Sequence, residues 1–170
     1  MDPGTFLTDI IDDGLAFVAG LGGPQPSDDA RRLMLCIALQ ESGPNLEARY
    51  QNSPSASPGP ARGWWQFEQG GGVAGVLQHA ASRTMAAEAC ARVTVVAQAA
   101  AVWRAIEGND LLACTFARLL LWTDPRPLPA AEEPAWEYYL RNWRPGKPHR
   151  AAWGPNWRTA SETVTGRLIA

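Results

Sequence analysis

Glu41 pairs a reactive side chain with an unusual position. It follows a nearly unbroken apolar run, Leu33-Met34-Leu35-Cys36-Ile37-Ala38-Leu39, and precedes Ser42-Gly43. A helix that is apolar all round is buried. The carboxyl therefore emerges at the C-terminal end of a buried helix, where the helix dipole places partial negative charge. Burial and the dipole both favour the protonated form and raise the pKa. A carboxyl that keeps its proton near neutral pH is suited to general-acid chemistry, including the cleavage of a glycosidic bond.

A second block stands out with it: Gly63-Trp64-Trp65-Gln66-Phe67-Glu68. Read as a short extended segment, it turns adjacent side chains to opposite faces. One of Trp64 and Trp65 is then expected in the core and the other on the cleft wall. An indole face suits the apolar face of a sugar ring, and its N–H adds a donor. Gln66 is expected to contact substrate or Glu41. Arg49 and Tyr50, after Glu41, and Arg62, before the tryptophan pair, are candidates for contacts with sugar or peptide carboxylates.

Together the two blocks resemble the soluble lytic transglycosylase and goose-type lysozyme group of the lysozyme superfamily. That group has a Glu-Ser pair at the end of a buried helix and, after a loop, a Gly-Leu-Met-Gln segment. Glu41-Ser42 matches the first, and Gly63-Trp64-Trp65-Gln66 matches the second with bulkier central residues. The resemblance covers about residues 30 to 80 clearly and the remainder loosely. It implies that Glu41 is the general acid and that the segment Gly63-Trp64-Trp65-Gln66 forms part of the saccharide cleft, with Ser42 a further candidate there. Goose-type lysozymes place an aspartate two residues after the Gln to position the attacking water. Glu68 stands at that place, so Glu41 and Glu68 are the two candidate catalytic carboxyls. A hydrolase uses both, whereas a lytic transglycosylase uses the acid alone.

There are two departures from the family pattern. The Ser/Pro-rich loop makes the spacing from Glu41 to Gln66 longer than usual. The later Ala-Tyr-Asn-x-Gly motif, whose Tyr contacts the catalytic Glu, is missing, and Leu119-Leu120-Leu121-Trp122-Thr123-Asp124 stands in its expected place. Thr123 and Asp124 are the polar residues available there to replace that contact.

The elements that must position these groups read as helices. An amphipathic helix is expected over residues 5–21, stopped by Gly22-Gly23-Pro24. Ser27 caps the next, with Asp28 and Asp29 in its first turn. The long loop 43–63 holds Asn52-Ser53-Pro54 and Ser57-Pro58-Gly59-Pro60, and a loop of that length inside a domain is usually functional. Further helices are expected over 73–79, 85–92, 94–107, 110–122 and 132–143, with a last one from 156 after an irregular stretch. In the helix over 94–107, Val95, Ala99, Val102, Trp103 and Ile106 recur at helical spacing. The expected class is mainly α, a lysozyme-like helical domain with a long cleft loop. It comprises an N-terminal helix (1–26), a catalytic core (27–125) and a Trp/Pro-rich C-terminal extension (126–170). Trp136, Trp143, Trp153 and Trp157 are read as pinning that extension to the body.

Composition limits the partners. The chain has 170 residues, 46% of them hydrophobic, and a net charge of −2. That suits a compact core and gives no basic footprint for nucleic acid. Cys36, Cys90 and Cys114 lie apart in apolar patterns and read as small buried hydrophobes, not a disulfide framework or zinc site. No metal or organic cofactor is expected. No segment has the length of a membrane span, and the N-terminus lacks a secretory leader. The resemblance thus implies peptidoglycan glycan strands as substrate, cut at the MurNAc-β-1,4-GlcNAc bond. The setting expected with it is a bacteriophage virion component, made in the host cytoplasm and acting at the wall during genome delivery alongside other virion proteins. The alternatives are a free endolysin and a catalytically inactive lysozyme-like virion protein.

Overall fold

The computed structural model describes residues 1–47 and 59–167. Arg49 and Tyr50 lie outside the described residues, as does most of the long loop. The architecture is mainly α. The chain opens with α1 (Pro3–Phe6), which runs through a π-helical stretch (Leu7–Asp12) into α2 (Asp13–Gly20). The buried helix α3 (Asp28–Ser42) follows, capped by Ser27, whose Oγ accepts from the Ala30 N–H at 3.2 Å. Every residue from Leu33 to Leu39 is buried, as the apolar run requires. Gly43, at φ +85°, ends the helix just beyond Glu41.

A small antiparallel hairpin comes next, β1 (Ala61–Arg62) with β2 (Phe67–Glu68), in the register Ala61 to Glu68 and Arg62 to Phe67. A second π-helical stretch (Gln69–Val73) leads into α4 (Ala74–Gln78). Helices α5 (Arg83–Arg92), α6 (Ala99–Ile106), α7 (Asp110–Trp122), α8 (Glu132–Trp143) and α9 (Arg150–Arg167) complete the chain. Asn109 caps α7, and Leu112 to Leu121 are all buried. Helix α9 packs along α3, and α2 packs along α7. Gly14 makes the second contact possible, since a Cβ there would lie 2.3 Å from Cys114 Sγ. All three cysteines are free and buried, as expected. No helix among the described residues is long and apolar enough to cross a membrane.

Three expectations are corrected. The helix expected over 94–107 starts only at Ala99, and Thr94 takes a positive φ of 57°. The stiff run Val93-Thr94-Val95-Val96 has poor helix propensity, and no cap precedes it. Of the five residues expected to face inward there, Val102 and Ile106 are buried and Val95, Ala99 and Trp103 are only partly covered. The last helix begins at Arg150, not 156, and contains Pro155 near its start. At the sixth helical position a proline loses one backbone bond and crowds the Ala151 carbonyl, a cost that the burial of Trp153 and Trp157 opposes. The irregular stretch between the last two helices is therefore confined to residues 144–149, and α8 and α9 pack onto the rest of the body. Trp136, Trp153 and Trp157 are buried in it, and Trp143 is half-buried against it.

The hairpin turn depends on Gly63. It sits at φ +71°, and a Cβ there would lie 2.6 Å from Ile106 Cγ2. Gly63→Ala is therefore expected to cost about 2–4 kcal/mol, from left-handed strain plus overpacking. A lowered urea midpoint with an unchanged m-value would show it, whereas a loss below about 0.5 kcal/mol would mean that the turn simply shifts.

Candidate active site

Glu41 is the penultimate residue of α3, and its carboxyl is half-buried. The Tyr139 hydroxyl on α8 donates to Glu41 Oε1 at 2.6 Å. Burial pushes the Glu41 pKa up from its ordinary 4.5 to about 7, against the pull of the Tyr139 hydrogen bond, which lowers it. The Tyr139 hydroxyl is itself held well above its usual range, first by burial and then by the neighbouring Glu41. It therefore remains a donor. A neutral donor orients the carboxyl without supplying the full positive charge that would ionise it.

An aromatic cluster surrounds Tyr139. Its ring stacks on Trp153 at 5.0 Å and on Trp143 at 6.4 Å, and it meets Trp136 at 5.4 Å. Trp136 and Trp153 meet edge to face at 5.3 Å. These rings come from α8 and α9 and exclude water from one side of the carboxyl. Beside Glu41, Gln40 ties α3 to the start of α9. Its Nε2 donates to the His149 carbonyl at 3.1 Å, and its Oε1 accepts from Asn156 Nδ2 at 3.0 Å.

The other half of the site is the turn Gly63-Trp64-Trp65-Gln66 between β1 and β2. Ser42 Oγ donates to the Trp64 carbonyl at 2.6 Å, which joins the end of α3 directly to this turn. Trp65 Nε1 donates to the Met34 carbonyl at 2.9 Å, and Trp143 Nε1 donates to the Trp65 carbonyl at 3.0 Å. The turn is thus held between α3 and α8. Residues that were far apart in the sequence, Glu41-Ser42 and Gly63–Gln66, come together as one unit.

Several side chains sit elsewhere than expected. Trp64 and Trp65 are both buried, Trp65 completely. The alternation rule fails because the pair lies on a tight turn, not on a strand. Phe6 packs against both rings, and Trp64 Nε1 donates to Asp110 Oδ1 at 2.9 Å. Trp65 accordingly offers no surface to a saccharide. Arg62 also turns inward. It pairs with Glu107 at 2.9 Å, lies 4.3 Å over the Trp103 ring, and donates to the Gly59 and Ala61 carbonyls. Its role here is to brace the hairpin. Buried Ser42 spends its hydroxyl on the Trp64 carbonyl. Gln66, at φ +49°, folds its amide back so that Nε2 donates to the Gly63 carbonyl at 2.9 Å. Glu68 is exposed at the end of β2.

Tyr139 is the residue that sequence reasoning missed. The expected place for a tyrosine was the end of α7, and the polar residues there are occupied differently. Thr123 Oγ1 donates to the Leu120 carbonyl at 2.7 Å. Asp124 accepts from Arg126 at 2.9 Å and from Asn142 at 3.3 Å. A tyrosine reaches Glu41 instead from α8, one helix later in the chain. The available signal was the Trp-Glu-Tyr-Tyr sequence at 136–139, where two adjacent tyrosines, once buried, each need a partner for the hydroxyl. Comparison of the chain with protein-family models, curated proteins and solved structures gives no match in any of the three. The geometry of the site therefore carries the functional argument by itself.

The raised Glu41 pKa links stability to pH. Between about pH 4.5 and 7 the folded chain holds a proton that the unfolded chain has released. This contribution to stability is complete below pH 4.5 and is lost as pH rises towards 7, by up to about 3 kcal/mol. Glu41→Gln keeps the shape and has no proton to lose. Urea denaturation is expected to show the variant gaining on the native chain from pH 4.5 to pH 8, by about 1–3 kcal/mol. Parallel pH curves for the two proteins would mean that the carboxyl is not held protonated.

Proposed function

We propose that this chain is a peptidoglycan-cleaving glycosidase of the lytic transglycosylase or lysozyme type, with Glu41 as the general acid. The observation that carries this reading is the Glu41 carboxyl itself. It is held near pKa 7 by burial, oriented by Tyr139 at 2.6 Å, and joined through Ser42 to the hairpin turn. Protonated Glu41 would give its proton to the glycosidic oxygen as an oxocarbenium-like state develops. The resulting carboxylate would then act as base on the returning step. Tyr139 would hold the carboxyl in one rotamer through both steps.

Single-acid chemistry fits the site more closely than a two-carboxylate mechanism. Glu68 is exposed, whereas Glu41 lies against the buried cluster. We therefore place the lytic transglycosylase outcome first, with attack by the sugar's own hydroxyl. The burial of Trp64 and Trp65 removes the aromatic cleft wall expected from the sequence. That loss favours, as second reading, a lysozyme-like scaffold that no longer cuts. The biological setting we propose is a virion component that opens the cell wall. The support for it over a free endolysin is the net charge of −2, since a free enzyme gains from attraction to anionic walls.

Zymography on peptidoglycan gels is expected to show clearing by the native chain and none by Glu41→Gln. Clearing by both, or by neither, would remove Glu41 as the acid. Retained activity in Glu68→Gln, with 1,6-anhydro muropeptides in the mass spectrum, is the expected sign of the single-acid route.

The pH profile offers a separate check. Activity is expected to fall as pH rises through about 7, where Glu41 loses its proton. Because the Tyr139 hydrogen bond lowers that pKa, Tyr139→Phe should move the falling limb to higher pH while reducing kcat. An unmoved limb would mean that Tyr139 does not act on the acid.

A further inference from the structure

The segment that joins α8 to α9 carries positive charge that its surroundings do not answer. Residues 141–150 include Arg141, Arg144, Lys147 and Arg150 and no carboxylate, in a chain whose net charge is −2. Two of these cations are committed. Arg150 pairs with Glu132 and Glu133, and Arg141 shares Asp124 with Arg126. Arg144 and Lys147 are exposed, and neither pairs with a carboxylate among the described residues.

Both ends of the segment are fastened beside Glu41. Trp143, the residue before Arg144, donates from Nε1 to the Trp65 carbonyl at 3.0 Å and stacks on Tyr139, which holds the acid. The His149 carbonyl accepts from Gln40, the chain neighbour of Glu41. Pro145 and Pro148 restrict the backbone between these fastenings. Arg144 and Lys147 are therefore held at the rim of the Glu41 site. They do not ionise the acid, whose pKa is governed by burial and by Tyr139.

Arg144 also stands where a side chain is a burden. It closes α8 in the left-handed conformation, at φ 49° and ψ 51°. Glycine is the usual residue at such a helix end, because a Cβ is strained there. The bond from Arg144 to the Arg141 carbonyl, at 3.3 Å, engages Nε and leaves Nη1 and Nη2 without a protein partner among the described residues. A strained backbone that presents an unpaired guanidinium beside a reactive carboxyl points to a use outside the fold.

We propose that Arg144 and Lys147 bind the carboxylates of peptide branches on the peptidoglycan strand that Glu41 would cut. This deepens the glycosidase reading and rests on it for the identity of the polymer. A glycan strand lies across a surface, so exposed cations can reach it without an enclosed cavity. A guanidinium takes a carboxylate in bidentate fashion, and an ammonium acts as a point charge. The strip supplies at the site the attraction to an anionic wall that the net charge of −2 denies the chain as a whole.

Sedimentation with insoluble peptidoglycan tests this without any need for cutting. The probes are purified peptidoglycan and the same material with its peptide carboxylates converted to amides. The full native chain is expected to bind the acidic material roughly tenfold more tightly, a margin that added salt removes. Arg144→Gly combined with Lys147→Gln should remove the margin at low salt. The Tm of that double variant should not fall, because glycine relieves the left-handed backbone. Arg144→Lys combined with Lys147→Arg should keep the margin. Where cutting is seen, the charge-removing double variant should raise KM several-fold at unchanged kcat, since the strip attracts substrate and moves no proton. Equal binding of the two materials by the native chain, or binding of neither, would overturn the proposal. So would an undiminished margin in the charge-removing variant, or binding of double-stranded DNA as tight as that of the acidic material. If that variant does not fold, Lys147→Gln alone decides, and a full margin there overturns the proposal too. A margin that persists while the native chain clears no gel would remove the glycosidase reading and leave the carboxylate site standing. Clearing with equal binding would do the reverse.

Discussion

The hydrogen bond from Tyr139 to Glu41 is the contact on which the arrangement depends. A carboxyl at the end of a buried helix is costly to ionise, and a charged partner would reverse that by stabilising the anion. Arginine or lysine in place of Tyr139 would yield a stable ion pair and an ionised acid. A phenol supplies orientation at 2.6 Å without net charge, so burial remains the larger influence and the carboxyl stays near pKa 7. The same burial keeps the phenol protonated. The pair therefore retains its proton near neutral pH, at a cost in stability that builds up between about pH 4.5 and 7.

Tryptophan accounts for much of how this pair is held. Indole rings fill space in the core, and their N–H groups satisfy backbone carbonyls that would otherwise be buried alone. Trp65 bonds the Met34 carbonyl, Trp143 bonds the Trp65 carbonyl, and Trp153 bonds the Glu132 carbonyl at 3.3 Å. Trp103 Nε1 donates to the exposed Pro60 carbonyl at 2.7 Å. In this way α3, the hairpin turn, α8 and α9 are cross-linked without a disulfide. Trp64 and Trp65, one of which the sequence suggested for a saccharide wall, are both buried and brace the turn beside Glu41. This division of labour explains why residues 126–170, dense in aromatics, belong to the body of the protein.

Where a local pattern was strong, the sequence was a good guide. The apolar run 33–39, the Ser27 cap and Gly43 marked α3 closely, and with it the position of Glu41 at the end of a buried helix. The periodic segments 110–122 and 132–143 also match α7 and α8. The failures share a cause. Pro155 and the surrounding Gly and Trp residues suggested irregular chain, yet burial of Trp153 carries a helix through them. Alternation was applied to Trp64 and Trp65, but a four-residue turn with Gly63 and Gln66 at positive φ places both rings inward. In each case long-range packing outweighed local propensity.

The sequence by itself determined that the chain is mainly helical, that α3 is buried, and that a carboxyl stands at its end beside Ser42. These follow from hydrophobic periodicity and capping, which act over a few residues and can be read along the chain. Only the tertiary structure decided which side chain would meet that carboxyl. Tyr139 lies 98 residues from Glu41, and a contact over such a separation has no local signature. It exists because α8 and α9 fold back onto α3 and bury their aromatic faces there. The raised pKa follows from that packing, since desolvation depends on everything around a group and not on its neighbours in the chain.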